Sequence, residues 1–380
     1  MNHQLTATRH INGKTYRYGY TTGSSAAGAA KGALTMLLSG EVIEEIALKT
    51  PAGIELQLSL HDIIITREMV KCAVVKDSGD DPDVTNGIKV YAKVTRNKNL
   101  GLQIVGGIGV GRVTKKGLQV AVGEAAINPV PMQMIREEAL ALLADNQDYT
   151  IEISVPEGVE IAQKTFNERL GVIGGISILG TSGIVVPMSD EAFKEALALE
   201  LSILKERGVK EMVLTPGNYG ENFIANHLPH ATERTVTTSN FIGYMLHEAV
   251  RFEMQKVILV GHIGKLIKVA GGIFHTHSSV ADGRNEIFAA HYMQFSGDVE
   301  GFRGIMQSNT TEEAIEYVKS VQFFNHLCNI IKMRCLQHIK NKMEIEVIIF
   351  SQERGLLGKT DNVDEWTMTY FSNHENVTNH

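Results

Sequence analysis

The stretch Gln255–Glu286, QKVILVGHIGKLIKVAGGIFHTHSSVADGRNE, decides the fold of the chain. Within it, Val257–Val260 is a short, uncharged run rich in β-branched residues, which is typical of a strand buried on both faces of a parallel sheet. The run ends at Gly261–Gly264, after which Lys265–Ala270 continues at helical spacing until a pair of glycines ends it. The stretch therefore predicts a strand, a glycine turn and a helix, in that order.

A second glycine turn follows another predicted strand. Glu211–Leu214 is the strand, and Thr215–Gly220, TPGNYG, is the turn. Open α/β sheets form their ligand crevices at the carboxyl ends of the strands, so two such turns in one sheet would flank a single crevice. His262 and Lys265, from the turn after Val257–Val260, are expected at the same edge.

The second half of the opening stretch carries a polar cluster with little apolar periodicity: His275, His277, Ser278, Ser279 and Asp282. A cluster of this kind after a sheet element is easier to explain as a site than as packing. His275 and His277 would share a face if the segment is extended, which suits a metal site, but no third ligand is evident. Hydrogen-bonded structural histidines are the alternative, and no metal site is predicted.

The chain has 380 residues, more than one hydrophobic core usually serves, so we expect two domains. Residues 1–188 carry mostly predicted strands and are expected to form a strand-rich α+β domain. Residues 189–360 alternate helices with strands, which predicts a three-layer α/β domain with a largely parallel, Rossmann-like sheet and the cofactor crevice. Residues 361–380 are low in hydrophobicity and predict a polar tail.

Composition and charge exclude several classes of protein. With 43% hydrophobic and 21% charged residues the chain is typical of soluble globular proteins, and its net charge of −7 argues against general nucleic-acid binding. The uncharged stretch Leu170–Ser189 is long enough to cross a bilayer, but five glycines and Pro187 favour a buried strand–turn–strand. Three cysteines without a CxxC pair, and no secretory signal, favour a cytoplasmic protein.

Three segments of the first domain carry further candidates. Ser24 or Thr22 is expected to cap a helix of small residues, whose exposed first-turn N–H groups would suit an anion. The run Gly107–Gly111 is similar to the glycine loops of nucleotide and S-adenosylmethionine sites, but the residues after it start like a strand, so the Rossmann fingerprint is not met. Asp77–Asp83 holds four aspartates at a spacing unlike an EF-hand, and is either a cation loop or a solvated turn.

Several long motifs, in a fixed order along the chain, together resemble the cobalt-precorrin-5B C1-methyltransferase family of anaerobic cobalamin biosynthesis. They are YGYTTGSSAAGAAKGA (Tyr18–Ala33), KDSGDDPDVTNG (Lys76–Gly87), GGIGVGRVTKKGLQVAVGEAAINPVPMQMI (Gly106–Ile135), GTSGIVVPMSDEA (Gly180–Ala192), LTPGNYGE (Leu214–Glu221) and the opening stretch from Val260 to Glu286. Ordered motifs of this length are far more specific than one glycine turn. Ser25 stands where many family members have Cys.

The resemblance implies transfer of a methyl group from S-adenosyl-L-methionine, the cosubstrate, to carbon C1 of cobalt-precorrin-5B, giving cobalt-precorrin-6A. Cobalt would enter only as part of this substrate. The macrocycle supplies a nucleophilic, enamine-like carbon, so the enzyme would mainly align the reactants and exclude water. Neither nucleic acid nor a membrane is expected as a partner, and the sequence leaves the formation of a homo-oligomer open.

Three roles follow for individual residues. Proton movement during methylation would use His262, His277 and Asp282. The candidates for cofactor binding are Thr215, Gly217, Asn218, Gly220, Gly261 and Gly264. A substrate rich in carboxylates needs local cations and polar groups on a chain of net negative charge. The candidates for substrate binding are Thr21, Thr22, Ser24, Arg112, Lys115, Lys265, Lys268, Ser278 and Arg284.

Two other functions stay open at the level of sequence. A corrinoid or tetrapyrrole carrier would explain the basic residues and the glycines, but not the cluster of His, Ser and Asp. A phosphate- or dinucleotide-dependent enzyme would use the glycine turns, although the chain has neither a GxxxxGK[ST] loop nor a complete GxGxxG fingerprint between a strand and a helix. The sequence does not say which glycine loop holds the cofactor: Gly107–Gly111, Thr215–Gly220 or Gly261–Gly264.

Overall fold

The computed structural model describes residues 7–11, 13–98, 100–143, 148–165, 167–168 and 170–367. The chain is a mixed α/β protein with several sheets. It divides into two compact units, Met1–Asp190 and Glu191–His380, called unit 1 and unit 2 below.

Unit 1 consists mainly of short strands. Its described strands are β1 (Thr8–Ile11), β2 (Lys14–Arg17), β3 (Gly19–Tyr20), β4 (Glu45–Lys49), β5 (Glu55–Ser59), β6 (His61–Ile65), β7 (Met69–Val75), β8 (Lys89–Arg96), β9 (Gln103–Gly106), β10 (Gly109–Val110), β11 (Arg112–Val113), β12 (Tyr149–Ser154), β13 (Val172–Ile173), β14 (Gly175–Ile176) and β15 (Ile184–Val185). Its described helices are α1 (Thr22–Ser39), α2 (Pro129–Leu142) and α3 (Gly158–Ala162). Five strands form its largest described sheet, in the order β6-β7-β8-β12-β9.

Helix α1 packs closely in the core of unit 1 because its residues are small. A Cβ atom on Gly28 would lie 2.4 Å from Leu58 Cδ1, and one on Gly32 would lie 2.6 Å from Leu60 Cδ1. These distances are well inside van der Waals contact, so larger side chains would push the helix away from the leucines. The close approach expected from the small-residue sequence is confirmed.

Helices and strands alternate through most of unit 2. Its described elements are α4 (Asp190–Glu206), which begins at the unit boundary, β16 (Glu211–Thr215), α5 (Asn218–His227), a 3-10 helix (Pro229–Arg234), β17 (Thr235–Thr237), α6 (Ile242–Arg251), β18 (Lys256–His262), α7 (Ile263–Ala270), α8 (Arg284–Ser296), α9 (Val299–Gln307), α10 (Thr311–Ile315), α11 (Gln322–His338), β19 (Glu344–Ser351), β20 (Gly355–Lys359) and α12 (Val363–Trp366).

The sheet of unit 2 has the strand order β17-β16-β18-β19-β20. The first four strands are parallel, and β20 runs antiparallel to β19. Although β16 comes first in the chain, it lies between β17 and β18, so the chain moves outward to β17 and then crosses to the other side of β16. The carboxyl ends of the neighbouring strands β16 and β18 therefore form a topological switch point, which is where open α/β sheets bind ligands.

Both faces of this sheet are buried. Val257 and Leu259 on β18 join the larger core of unit 2, whereas Ile258 and Val260 pack into a second cluster on the other face. None of these four side chains is more than 1% exposed. The prediction that Val257–Val260 forms a doubly buried strand in a parallel sheet is confirmed.

The residues expected to begin a polar tail instead bury two large side chains. Val363 and Trp366 of α12 pack into the second cluster, and Lys256 Nζ lies 5.0 Å from the centroid of the Trp366 ring. A single helical turn gives little periodicity, which explains why the sequence did not reveal it. Residues 368–380 lie outside the described residues.

The uncharged stretch Leu170–Ser189 contains the short strands β13, β14 and β15, as the strand–turn–strand prediction required. Among the helices that the structure describes, none is long and apolar enough to cross a membrane.

Candidate functional site

The two glycine turns of unit 2 lie side by side. β16 and β18 pair in parallel, and each ends where its turn begins, at Thr215 and at His262. The ammonium group of Lys265, just after the second turn, donates a hydrogen bond of 2.7 Å to the carbonyl oxygen of Pro216 in the first. The predicted placement of both turns at one edge of the sheet is confirmed, and this edge is the switch point.

The turn after β16 leaves its backbone uncovered. Gly217 has φ 123°, and a Cβ added to it would meet only Lys265 Nζ, at 4.0 Å. Asn218 is exposed and begins α5. A Cβ on Gly220 would lie 1.7 Å from Thr215 Oγ1, a buried hydroxyl with no hydrogen-bond partner within the described chain. Glycines and a helix start of this kind let a ligand reach backbone N–H groups.

Lys265 places a half-buried cation between the turns. Burial lowers the pKa of Lys265 below its ordinary value, and the nearby charge of Lys268 lowers it further. One of its three ammonium protons is committed to Pro216, so the group can still donate to a ligand at the same edge.

His262 is fixed on both sides of its ring. Nδ1 accepts a hydrogen bond of 3.1 Å from the N–H group of Gly264, which makes His262 the N-cap of α7. Nε2 lies 2.7 Å from Glu312 Oε1, and Glu312 Oε2 accepts a hydrogen bond of 2.5 Å from Ser351 Oγ at the end of β19. Glu312 and Ser351 are residues that the sequence analysis missed.

The polar cluster after α7 is held down by Lys268. This side chain is only 2% exposed, and its ammonium group donates to the carbonyl oxygens of Thr276, at 3.1 Å, and Ala281, at 2.9 Å. Burial lowers the pKa of Lys268 although Asp282, 3.9 Å away, opposes that effect. Lys268 thus supports the segment, and its predicted contact with substrate stays a prediction.

Within the cluster, two of the candidate residues are paired with each other: Asp282, predicted to take part in proton transfer, and Arg284, predicted to bind substrate. Asp282 accepts hydrogen bonds from Arg284 Nε at 2.8 Å and Nη2 at 3.0 Å, and this pairing lowers the pKa of Asp282 to about 2. A carboxylate this weakly basic is a poor proton acceptor near neutral pH. His277 and Ser278 are exposed, and His277 Nδ1 accepts from the N–H group of Ser279 at 3.1 Å.

The remaining histidine of the cluster is packed. His275 forms a β-bridge with Phe241, and the two rings meet edge to face with centroids 4.8 Å apart. Among the described residues there is no group of three or more His, Cys, Asp or Glu side chains that could hold a metal ion.

The candidates at the start of α1 are buried in unit 1. Thr21, instead of Thr22 or Ser24, is the N-cap, and its Oγ1 accepts from the N–H group of Ser24 at 3.2 Å. Thr22 Oγ1 accepts from the N–H group of Leu179 at 2.9 Å, and Ser24 Oγ donates to Gly183 O at 2.7 Å. The expectation of exposed first-turn N–H groups is wrong, because a neighbouring loop covers the turn; substrate contact by these hydroxyls stays a prediction.

The Gly107–Gly111 loop has a packing reason for its glycines. A Cβ on Gly109, which has φ 76°, would lie 1.6 Å from Val155 O. Next to the loop, Arg112 is exposed and donates to Gly123 O at 2.6 Å, and Lys115 is exposed with its side chain lying against Gly171. Substrate contact by both cations stays a prediction, whereas the loop itself packs against its own chain.

The aspartate loop is tied down by cations instead of being solvated. Asp77 accepts two hydrogen bonds from the Arg17 guanidinium, at 2.6 and 2.9 Å, and Asp83 pairs with Lys76 at 2.6 Å. Lys76 is 2% exposed, and burial lowers its pKa although Asp83 favours the charged form. These pairs give the loop a structural role in unit 1.

The fold and the site together define an α/β protein with two glycine turns at the switch point of a largely parallel sheet, where such sheets bind ligands. Comparison with known proteins is more specific. The family model described as CbiD matches residues 9–187, and the one described as CbiD, C-terminal domain, matches residues 275–361.

Two relatives cover nearly the whole chain. The cobalt-precorrin-5B C(1)-methyltransferase of Thermoanaerobacter sp. (strain X514) is 47% identical over 360 residues, which are 93% of this chain and 98% of the relative. The protein of the same name from Alkaliphilus metalliredigens (strain QYMF) is 46% identical over 349 residues, 91% of this chain and 93% of the relative. The chain belongs to the CbiD family.

A crystal structure of the cobalamin biosynthesis protein CbiD from Archaeoglobus fulgidus is 28% identical and covers 70% of this chain and 84% of its own. Its TM-score of 0.39 is too low to support a statement about the fold.

Proposed function

We propose that this protein is an S-adenosyl-L-methionine-dependent methyltransferase that methylates C1 of cobalt-precorrin-5B and gives cobalt-precorrin-6A. Relatives with that name, matching 91% and 93% of the chain, support the reaction. The structural observation that carries the proposal is the pair of glycine turns at the switch point, linked by the hydrogen bond from Lys265 to Pro216.

The proposed cofactor site lies at the carboxyl ends of β16 and β18, and its use for a cofactor would make the sheet of unit 2 Rossmann-like. S-Adenosyl-L-methionine would supply a methyl group on a positively charged sulfonium. The uncovered backbone at Gly217 and the start of α5 suit its carboxylate or ribose oxygens. The buried hydroxyl of Thr215, which has no hydrogen-bond partner among the described residues, and the exposed amide of Asn218 add hydrogen-bonding groups at the same turn.

Lys265 is the proposed cation of this edge. The chain has a net charge of −7, so an anionic substrate needs local positive charge to offset the repulsion. Lys268 is committed to two carbonyl oxygens, and the charge of Arg284 is paired with Asp282, whereas Lys265 keeps two of its three ammonium N–H donors for a ligand.

His277 is the proposed proton acceptor of the polar cluster. Its ring is exposed, and its Nδ1 lone pair faces Ser279 of the same exposed turn, so a substrate proton can displace that contact; Asp282 is instead held ionised by Arg284, which lowers its pKa to about 2. The electron pair for the new bond comes from the macrocycle, and the sulfonium sulfur keeps the pair of the broken bond, so the protein has only to align the reactants and receive a proton. General-base contributions of this kind are about 10²–10⁴ in rate.

Calorimetric titration with S-adenosylhomocysteine tests the cofactor site. Gly217→Ala introduces a side chain into the crevice at φ 123°, and we expect it to abolish binding or weaken it at least tenfold. The matched control is Gly208→Ala, at φ 74° after α4, where a Cβ would meet no atom within 4 Å. Both changes strain a left-handed backbone, but only the first blocks the proposed site.

Each outcome has a distinct meaning. Binding by the wild type that is lost only in Gly217→Ala supports the crevice. Binding that survives in both variants moves the cofactor to another glycine loop. A protein that binds a cobalt corrinoid but shows no cofactor-dependent methylation would be a carrier, which contradicts the proposal.

In a turnover assay His277→Ala should lose activity while still binding S-adenosylhomocysteine, and full activity would reject the assigned base.

A further inference from the structure

The ring of His262 has a defined hydrogen-bonding pattern. A backbone N–H group can only donate, so the 3.1 Å contact with Gly264 places an unprotonated, accepting nitrogen at Nδ1. The proton of the neutral ring then lies on Nε2, which is 2.7 Å from Glu312 Oε1. Both nitrogens are engaged, so His262 has no lone pair with which to take a proton from a substrate.

Glu312 is itself held as an ionised acceptor. Ser351 Oγ donates to its Oε2 at 2.5 Å, and the N–H group of Gln352 donates to its Oε1 at 3.1 Å. Burial raises the pKa of Glu312, but the hydrogen bonds from Ser351, His262 and Gln352 together outweigh that effect and leave the pKa below its ordinary value. A carboxylate has only acceptors to offer, which agrees with a proton on His262 Nε2.

These contacts join three neighbouring strand ends. Ser351 ends β19, His262 ends β18, and the Pro216 carbonyl follows β16. Glu312, from the short helix α10, connects the first two; Lys265, one residue beyond the capped N–H group of Gly264, connects the last two. A shift of the His262 ring would therefore move the start of α7 and the cation that spans the proposed crevice.

We propose that Glu312 is a positioning residue, which fixes His262 as the Nε2–H tautomer and thereby holds the Gly261–Gly264 turn and Lys265 in place, and that His262 is not a proton-transfer group. This inference deepens the proposed methyltransferase function and rests on it for the effect on turnover. The geometry of the crevice wall is then determined by a residue 50 positions further along the chain.

Nitrogen NMR of histidine-labelled protein at neutral pH tests the tautomer directly and needs no activity. The His262 signals are assigned by their disappearance in His262→Asn. We expect Nε2 protonated and Nδ1 unprotonated in the wild type. A proton on Nδ1, in either a neutral or a doubly protonated ring, would overturn the inference whether or not the protein is a methyltransferase.

Kinetics of matched variants tests the positioning role. Asn at position 262 can cap α7 through Oδ1 but is too short to reach Glu312, whereas Ala can do neither. Gln at position 312 keeps an acceptor for His262 without the charge, whereas Ala removes it. Misplacement of about 1 Å can cost on the order of 10²-fold, so we expect kcat/KM to fall by that factor in His262→Ala and Glu312→Ala.

The conservative variants separate positioning from proton transfer. We expect His262→Asn and Glu312→Gln to recover kcat/KM to within about tenfold of the wild type, a difference of about 1.4 kcal/mol. An amide oxygen at position 262 accepts from the Gly264 N–H group without a tautomer that Glu312 has to fix, so His262→Asn should lose less than Glu312→Ala. If His262→Asn folds, binds S-adenosylhomocysteine like the wild type and is as inactive as His262→Ala, the ring takes part in the chemistry and the inference is wrong. A wild type without turnover would instead refute the proposed function and leave the tautomer to the NMR experiment.

Discussion

The carboxylate of Glu312 couples one residue's protonation to the stability of the fold. Burial raises its pKa, and hydrogen bonds from Ser351, His262 and Gln352 lower it by more, so the folded pKa lies below the ordinary value of 4.5. The unfolded chain therefore takes up this proton more readily than the folded chain. The stability that the carboxylate contributes is present above about pH 4.5 and is lost as the pH falls from there through the folded pKa.

We expect the free energy of unfolding of Glu312→Gln to approach that of the wild type as the pH falls from about 4.5 through the folded pKa of Glu312, because the wild-type carboxylate becomes protonated over that range. Urea denaturation at several pH values measures the difference. The control is Glu300→Gln, a 93% exposed side chain, which should stay within about 0.5 kcal/mol of the wild type throughout. A Glu312→Gln difference that does not change with pH would contradict the expected coupling.

Local pattern predicted part of the site at the level of residues. His262 and Lys265 follow a strand of buried, β-branched residues, so their position at a strand end could be deduced from neighbours in the sequence. Glu312 could not, because it lies 50 residues away and resembles any solvated Glu in the first turn of a helix. Ser351 is the last residue of β19, and the same strand-end rule would have found it.

At the scale of elements, one buried carboxylate ties together helix α11, strand β19 and the turn before α12. Glu346 on β19 is 1% exposed, and its Oε1 accepts from Lys332 Nζ of α11 at 2.6 Å and from Asn362 Nδ2 at 3.3 Å. Its Oε2 has no hydrogen-bond partner within the described residues. Among the described residues, Lys332 is therefore the only cation that pairs with the Glu346 carboxylate.

We expect Lys332→Met to destabilise the protein by about 3–5 kcal/mol, because it leaves the Glu346 charge buried and unpaired. The double variant Lys332→Met/Glu346→Leu should recover most of that loss, since neither charge is then buried. Chemical denaturation measures both. The control Lys319→Met removes a 68% exposed lysine from Asp298 and should cost at most about 1 kcal/mol. A double variant no more stable than Lys332→Met would show that lost packing, and not the unpaired charge of Glu346, causes the destabilisation.

Elements with several residues of clear periodicity could be predicted, and elements defined by their partners could not. The predicted strands Val257–Val260 and Glu211–Leu214 appear in the structure within β18 and β16, and the predicted helix of small residues appears as α1. Strand β17 could not be predicted, because it has three residues and is specified by its pairing with β16. Helix α5 could not be predicted either, because the glycines and Asn218 at its start predict a turn equally well.

At the scale of the whole molecule, the cysteines report separately on the two units. Cys72 lies in unit 1, Cys328 and Cys335 lie in unit 2, and all three are free and buried. Burial raises the pKa of Cys72 and of Cys335 to about 12 and also raises the pKa of Cys328. Since the thiolate is the reactive form, none of the three should react in the folded protein near neutral pH.

We propose that the two units are separate folding domains, and expect thiols to become reactive in two steps as urea is raised, one thiol in one step and two in the other. Counting reacted thiols with a chromogenic disulfide reagent at each urea concentration gives the measurement. Cys72→Ala should abolish the single-thiol step and leave the other unchanged. Simultaneous exposure of all three thiols would mean that the chain unfolds as one cooperative body.

Trp366, the last residue of α12, packs beside Lys256 and is the chain's only tryptophan. Indole emission from this protein therefore originates at a single point, in the last described helix of unit 2. A fluorescence trace would follow the carboxyl-terminal end of that unit and be blind to unit 1. Trp366 is thus an intrinsic fluorescent probe in unit 2, the unit that holds the proposed crevice, and no dye has to be attached to use it.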